Sequence, residues 1–256
     1  MSEHNPNKVE HEFKTINAKP VKLKKGYRFF IKNPIFLFFS TLLVILIKII
    51  IYYIYGILIR GLRVKNQKHL KYLKKNKHVL VSNHIHPLDA IWIGTAVFPR
   101  RMYVTMLQSN LGLPVIGKIL RLAGGIPIPE SKEHMLQFLD ELNYQLEKKT
   151  PILVMPEAAL KPYHVGIRKF LSGAFRFAVD ANADILPFVY VYKKPKGIQK
   201  LYRKKPLLEM HILEPVKVII GDTKHQSLNL TKDKVHQVMR DYFNKHSDLK
   251  EEGYEI

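Results

Sequence analysis

The chain has 256 residues, 46% of them hydrophobic, which supports one catalytic-sized domain with attachments and excludes two large cores. Its 42 Lys and Arg against 21 Asp and Glu give a formal charge of +21, which predicts attraction to a polyanion: nucleic acid, an anionic membrane surface or an acidic protein. The absence of cysteine excludes a disulfide framework, thiol catalysis and Cys-ligated metal sites.

The first predicted element is an apolar block from Ile35 to Ile59, IFLFFSTLLVILIKIIIYYIYGILI, whose single charge is Lys48. As a helix these 25 residues would be about 38 Å long, against roughly 30 Å for the hydrocarbon core of a bilayer. A buried helix of a soluble domain is the weaker interpretation, because such helices are seldom apolar on all sides. We therefore predict a basic, mobile arm at 1–26, a membrane-inserted helical segment at 27–64 and the main domain at 65–256.

Both flanks of the apolar block are basic. Residues 1–33 carry eight basic and three acidic side chains, and residues 60–77 carry eight basic and no acidic ones. Because the positive-inside bias can place only one flank of a single span in the cytoplasm, we favour a helical hairpin or an interfacial insertion with both ends on one side. A single span is the alternative. The predicted location is the membrane, with the main domain on the cytoplasmic face.

Strands and helices alternate along the rest of the chain. Residues 60–78 read as a basic helix next to the membrane, with Leu62, Leu70 and Leu73 spaced to face lipid or protein. Beyond it we predict strands at 79–82, 102–107, 126–128, 152–155, 185–192, 207–213 and 216–220, and helices at 87–97, 115–123, 132–148, 173–183 and 231–244. This alternation predicts an α/β fold with a mostly parallel central sheet flanked by helices.

The segment Val81-Ser-Asn-His-Ile-His-Pro-Leu-Asp89 places a histidine and an aspartate five residues apart at a strand-to-helix turn. Such a turn folds back on itself, so that Asp89 can meet the imidazole of His84 and orient it to take a proton from a hydroxyl. The simpler interpretation is that Asp89 only complements the helix N-terminus. A metal site at His84, His86 and Asp89 is disfavoured because no further ligand follows at a recognisable spacing, and we predict none.

The segment around His84 is one of four sequence blocks that are considered together. They are the segment around His84, Gly124-Gly-Ile-Pro-Ile-Pro129, Met155-Pro-Glu157, and Phe170-Leu-Ser-Gly-Ala-Phe-Arg-Phe-Ala178 followed by Ile185-Leu-Pro187. Over roughly residues 78 to 190 the chain resembles the glycerolipid acyltransferase family of lysophosphatidic acid acyltransferases.

The resemblance implies that residues 65–256 form an acyltransferase domain. It would move an acyl chain from acyl-CoA or an acidic acyl carrier protein to a glycerolipid hydroxyl, with His84 as general base, Asp89 as its orienter and no cofactor. The expected partners are these donors and membrane lipids, not nucleic acid, since no nucleic-acid-binding motif is present.

Two departures from the family pattern fall where the family handles phosphate. Glu130 stands in place of an arginine, and Pro156-Glu-Ala-Ala-Leu160 replaces Pro-Glu-Gly-Thr-Arg, so both guanidinium groups are missing and Ala158 replaces a glycine. We predict that other basic residues nearby bind the phosphate in place of the two missing arginines. The predicted substrate-binding residues are Asn83, Gly125, Glu157, Lys161, Arg168 and Lys169. Glu157 could accept hydroxyl groups or simply pair with a basic residue, and the Gly124-Gly125 pair could simply end a helix.

The predicted reaction is direct attack of a lysophosphatidic acid hydroxyl on the thioester, without an acyl-enzyme. The missing arginines motivate a first alternative, an acceptor that lacks a phosphate monoester, such as a diester lysophospholipid or a glycolipid. A second alternative is a basic membrane-binding protein without catalysis, or a catalytically inactive relative. The run from Lys193 to Lys205 holds seven basic residues and no acidic one, and could dock acidic headgroups or an acidic carrier protein.

Overall fold

The structure is a computed structural model that describes residues 19–203 and 205–250. Its strands are β1 (Arg63–Lys65), β2 (His78–Ser82), β3 (Tyr103–Leu107), β4 (Gly125–Ile128), β5 (Ile152–Val154), β6 (Asp184–Lys193) and β7 (Leu207–Ile212). The α-helices are α1 (Pro34–Ile47), α2 (Asp89–Val97), α3 (Ile116–Leu122), α4 (Lys132–Glu147), α5 (Gly173–Ala181), α6 (Gln199–Tyr202) and α7 (Lys224–His246).

The seven strands form one sheet in the order β1-β7-β6-β2-β5-β3-β4. Every neighbouring pair is parallel except β6 and β7. The central strands are apolar on both faces; Leu80, Leu186 and Val189 are fully buried, as expected when helices cover both sides of a sheet. The mostly parallel sheet flanked by helices confirms the predicted fold class.

The stretch from 60 to 78 differs from the prediction. Instead of one basic helix it contains β1, which pairs with β7, and a 3₁₀ helix at Gln67–Lys74. Leu62 and Leu73 are each only 2% exposed, so their apolar face meets the core of the domain and not lipid. The predicted boundary between residues 64 and 65 falls inside β1, which belongs to the sheet.

Two further differences lie near the carboxyl end of the described chain. The strand predicted at 216–220 is wrong, because this segment makes a single antiparallel bridge, between Val216 and Ile185. The last helix begins at Lys224, earlier than predicted, because the Thr223 side chain accepts a hydrogen bond from the backbone N–H of Gln226 and caps the helix there.

The apolar block forms one continuous helix, in which α1 passes into a π-helix at Lys48–Ile59. Pro34 stands in its first turn, and the Asn33 side chain caps it by accepting from the N–H of Phe36. The helix spans 26 residues and is long and apolar enough to cross a membrane; an 18-residue window within it has mean hydropathy 2.7, and only 11% of that window is buried. The hairpin form of the prediction is therefore wrong for this segment.

The apolar helix packs along the domain on one face. Ser40 is fully buried and donates a hydrogen bond to the carbonyl of Leu122 at the end of α3. A Cβ on Gly56 would lie 3.2 Å from the indole nitrogen of Trp92 on α2, so the glycine permits close approach. Of the predicted arm at 1–26, residues 1–18 lie outside the described residues, and its mobility stays a prediction.

The sheet brings two of the sequence blocks together. β2 and β5 are parallel neighbours, so the segments that follow Ser82 and Val154 leave the sheet at the same edge. In open α/β sheets, ligands bind outside the carboxyl ends of the strands. The candidate site lies at this edge.

Candidate active site

His84 and Asp89 meet at the turn between β2 and α2, residues 83–88, which we call the histidine turn. Asp89 is the first residue of α2, and its Oδ2 atom lies 3.3 Å from Nδ1 of His84. The same oxygen accepts hydrogen bonds from the backbone N–H groups of Ile85 and His86, each at 2.8 Å. With the Nδ1 proton directed at the carboxylate, Nε2 of His84 is left as the basic nitrogen.

The environments of the two side chains differ. The side chain of Asp89 is fully buried, whereas that of His84 is 20% exposed. Burial raises the pKa of the Asp89 carboxyl, and the hydrogen bond and positive charge of His84 are the main effects that oppose the rise. Its Oδ1 atom has no hydrogen-bond partner among the described residues. The Asp89 carboxylate thus depends on the imidazole and the turn amides for its charge.

His86 has a different environment from its neighbour. Its ring stacks on Trp92, with centroids 4.5 Å apart, and its Nδ1 accepts a hydrogen bond from the N–H of Leu88. Burial, assisted by the charge of Arg60, lowers the pKa of His86 to about 4. His86 is therefore neutral near pH 7 and holds the shape of the turn.

Asn83 anchors the histidine turn to the sheet. Its side chain is fully buried, and the amide both donates to the carbonyl and accepts from the N–H of Tyr190 on β6. The Tyr190 hydroxyl in turn donates to the backbone carbonyl of Asp89. This placement favours a positioning role for Asn83 over the predicted substrate contact.

Glu157 and Arg168 brace the other side of the turn. Glu157 follows β5, its side chain is fully buried, and its carboxylate accepts from the backbone N–H of His84 at 3.1 Å and from that of Arg168 at 3.0 Å. The Arg168 guanidinium lies 2.7 Å from the same carboxylate and also donates to the carbonyls of His84 and Ala159. Of the two predicted roles of Glu157, these contacts favour pairing with a basic residue. Arg168 is that basic residue, and its guanidinium is directed at Glu157 and the neighbouring carbonyls.

We expect Glu157→Gln to lower the free energy of unfolding by about 3 kcal/mol, because removing one partner of a buried ion pair leaves the other uncompensated. The matched control is Glu147→Gln, which breaks the more exposed pair with Lys77 and should cost under about 0.5 kcal/mol. Urea unfolding in detergent measures both. Equal stability losses in the two variants would contradict the bracing role.

A cavity of about 670 Å³ opens beside His84. Its volume lies within the range of roughly 300–1,000 Å³ that is usual for ligand sites. The lining is mostly apolar, with side chains from α2, β3, the loop after β5 and α5, and Thr41, Val44 and Ile47 of α1 close one wall. An apolar cavity with a basic nitrogen at its edge can hold a hydrocarbon chain next to a proton acceptor.

The charged part of the cavity lining is entirely basic. Within the described chain it contains Arg100, Arg101 and Arg176 and no carboxylate. Glu130, which stands where the family pattern has an arginine, is exposed and lies outside the lining among the described residues. These three arginines were missed by the sequence analysis; for Arg176 the available signal was its place in the fourth block, four residues after Ser172.

The predicted site residues are only partly brought together. His84 and Gly125 line the cavity, and Asp89 lies directly behind His84. Among the described residues, the lining does not include Asn83, Glu157, Lys161, Arg168 or Lys169. The Lys161 backbone N–H donates to the carbonyl of His84 at 3.1 Å, and Lys169 is exposed.

The two positions that relate to glycine in the family pattern have distinct physical roles. A Cβ on Gly125 would lie 2.8 Å from the carbonyl oxygen of Leu120, so a larger residue would push β4 away from α3. Ala158 has φ of 63°, in the left-handed region that glycine adopts most easily. The backbone shape expected for a glycine is therefore kept in the loop after Glu157.

Comparisons with known proteins bear on this site. A family model described as Acyltransferase matches residues 61–191 of the chain. No curated protein matches. Eight chains among solved structures match, and one is the crystal structure of the 1-acyl-sn-glycerophosphate (LPA) acyltransferase PlsC from Thermotoga maritima. It is 14% identical, the match covers 84% of this chain and 98% of that one, and the TM-score is 0.50, a likeness that shows the fold.

Proposed function

Because this chain belongs to the acyltransferase family, we propose that it transfers a fatty acyl chain from an acyl thioester to the hydroxyl of lysophosphatidic acid, which gives phosphatidic acid. The observation that carries the proposal is the His84–Asp89 pair at the edge of the apolar cavity. A structural turn alone would not require the imidazole to line a cavity of substrate size.

The proposed chemistry is a direct acyl transfer. Nε2 of His84 removes the proton of the acceptor hydroxyl as that oxygen attacks the thioester carbonyl carbon. A C–O bond forms, the C–S bond breaks, and the proton passes from His84 to the departing thiolate. Asp89 holds the ring and stabilises the imidazolium, so neither a covalent enzyme intermediate nor a cofactor is needed.

The cavity supports both parts of the substrate in this proposal. Its apolar walls suit the fatty chain, and the three arginines suit the phosphate of the acceptor or of acyl-CoA. Arg101 donates to Ser40 and Arg100 to the carbonyl of Lys149, whereas Arg176 pairs with Asp180 of its own helix at 3.4 Å and its side chain is 47% exposed. Since Asp180 also pairs with Lys224, we assign the acceptor phosphate to Arg176.

A second candidate acceptor rests on Leu160. This residue lines the cavity where the family pattern has an arginine, so one guanidinium for a phosphate monoester is replaced by an apolar side chain. That replacement favours an acceptor with a phosphodiester or an uncharged headgroup. The two proposals differ in the acceptor alone and share the His84 chemistry.

Acceptor preference tests the proposal. With acyl-CoA or acyl-acyl carrier protein as donor, we expect kcat/KM for lysophosphatidic acid to exceed that for lysophosphatidylcholine and monoacylglycerol by about tenfold or more, which corresponds to about 1.4 kcal/mol. Arg176→Ala should raise KM for lysophosphatidic acid by about tenfold and leave monoacylglycerol unaffected, because a charge-assisted hydrogen bond is lost.

Lys245→Ala, at an exposed position on α7, is the control for the change of charge. A preference for lysophosphatidylcholine or monoacylglycerol would contradict the proposal of lysophosphatidic acid and support the second candidate acceptor. Purified protein that acylates none of the three with either donor would overturn the enzymatic proposal.

The apolar helix also bears on location. It contacts the domain at both ends: Arg101 donates to Ser40, and Arg203 donates to the carbonyl of Ile59. These contacts are roughly 28 Å apart along the helix, close to the thickness of a hydrocarbon core. A helix that crossed the bilayer would draw the domain into lipid with it, so we propose that it lies in the interface on the cytoplasmic side.

Cysteine labelling tests this orientation, because the chain has no cysteine of its own. In sealed inverted membrane vesicles, Lys32→Cys and Lys68→Cys, at exposed positions on the two sides of the helix, should both react with a membrane-impermeant maleimide. A spanning helix would instead give one labelled and one protected position until detergent is added.

A further inference from the structure

The loop between β6 and β7 presents two large apolar side chains to solvent. Ile198 is 74% exposed, and Leu201 at 84% has the highest exposure of any large apolar residue in the described parts of the chain. They are three residues apart on the short turn that includes α6, which places them on one side of it. Single exposed apolar residues are common on soluble proteins, so the exposure of this pair indicates a binding surface only if the neighbouring residues support one.

The surroundings are strongly basic. The run from Lys193 to Lys205, here called the basic loop, has seven Lys and Arg and no Asp or Glu. The exposed lysines around the apolar pair are Lys194, Lys196, Lys200 and Lys205. Apolar side chains within a ring of cations are the pattern of segments that lie in the headgroup region of anionic membranes.

The basic loop is attached to the end of the apolar helix. Arg203 donates through Nη1 to the carbonyl of Ile59 at 2.9 Å and through Nη2 to that of Leu58 at 3.2 Å. Leu58 and Ile59 are themselves 70% and 59% exposed. A Cβ on Gly61 would lie 2.8 Å from a methyl carbon of Leu207, so the chain segments after the helix and after the loop pack closely. The exposed apolar pair therefore lies next to a surface already proposed to contact lipid.

We propose that the basic loop is a second membrane anchor, in which Ile198 and Leu201 enter the headgroup region of an anionic bilayer while the surrounding lysines bind acidic headgroups. This inference rests on the membrane location in the proposed function, but not on acyl transfer. An acidic carrier protein would meet the same charges, but it offers no counterpart to the exposed apolar pair beside the end of an apolar helix.

Fluorescence of a single attached dye tests the anchor independently of catalysis. Leu201→Cys in the full chain, labelled with an environment-sensitive nitrobenzoxadiazole dye, is reconstituted into vesicles of phosphatidylcholine alone or with phosphatidylglycerol. We expect an emission increase of about twofold and a blue shift in the anionic vesicles, with a smaller change in neutral ones. Raising the salt concentration should reduce the difference between the two vesicle types.

Leu230→Cys is the matched control. This leucine is 41% exposed on α7 and lies about 26 Å along that helix from Ser247, which contacts β6 at Tyr192. A dye at position 230 should show neither the emission increase nor the blue shift in either kind of vesicle, because it stays in water. Emission from position 201 that matches position 230, or that changes only when an acidic acyl carrier protein is added, would overturn the proposal.

A second variant separates the anchor from the active site. Ile198→Ser combined with Leu201→Ser should reduce acylation of acceptor embedded in anionic vesicles by about fivefold, because less of the loop is held at the interface. Acylation of the same acceptor in detergent micelles should be unchanged. Equal losses in vesicles and micelles would indicate damage to catalysis and contradict the anchoring role, whereas inactivity of the unmodified protein would leave the fluorescence result standing.

Discussion

His84→Ala should reduce kcat by about 10³-fold, within the range by which positioned acid–base groups accelerate proton transfer. The variant loses the basic nitrogen at the cavity edge, and no other histidine lines that cavity among the described residues. The fold should survive, because the contacts that Glu157 and Lys161 make to residue 84 use its backbone N–H and carbonyl. Initial rates with saturating donor and acceptor measure the loss of kcat, and a thermal unfolding curve measures the stability of the fold.

The control for this substitution is His225→Ala. His225 is exposed in the first turn of α7, away from the cavity, and its loss should change neither the rate nor the melting temperature appreciably. More than about a tenth of the wild-type kcat in the His84 variant would be incompatible with a general-base role, given the size of that contribution in other enzymes.

Asp89→Asn should lower kcat by about 10²-fold and leave the turn in place. The amide oxygen can replace Oδ2, since it faces three donors: Nδ1 of His84 and the N–H groups of Ile85 and His86. The amide nitrogen then occupies the Oδ1 position, where the described residues offer no partner. What is lost is the negative charge that stabilises the imidazolium, so the reaction slows without the imidazole being misplaced.

Asp89→Ala provides the contrast to this variant. Without any acceptor at position 89 the turn amides and the imidazole lose their shared partner, and both stability and activity should fall further than in Asp89→Asn. Thermal unfolding curves distinguish a charge effect from misfolding, because Asp89→Asn should keep most of the stability that Asp89→Ala loses. Full activity in Asp89→Asn would remove the carboxylate from the mechanism.

The His84–Asp89 pair could be predicted from sequence because the interaction is local. Five residues of a strand-to-helix turn determine whether the side chains meet, and the hydrogen bonds to the turn amides add to the same geometry. The α/β fold was predictable for a similar reason, since alternating apolar segments report burial directly. β1 was missed because three residues in a basic stretch give no apolar run; its pairing depends on β7, far along the chain.

The arginines proposed to bind phosphate could not be predicted from the sequence, because the residues around them are distant along the chain. Arg168 was a reasonable substitute for a missing arginine until the fold placed it against the buried carboxylate of Glu157. Conversely, Arg100 follows α2 and Arg176 lies in α5, and only the tertiary structure shows that they line one cavity. Local patterns therefore indicate the geometry of the turn, whereas the set of residues that line the cavity depends on packing.

The apolar helix also forms part of the cavity wall, through Thr41, Val44 and Ile47. A truncated chain that begins after this helix would be more soluble, but the cavity proposed to hold the acyl chain would be left with an open side through which water could enter. Under the proposed function, the segment that holds the protein at the membrane thus also keeps water away from the acyl chain, and the two properties cannot be separated by cutting the chain.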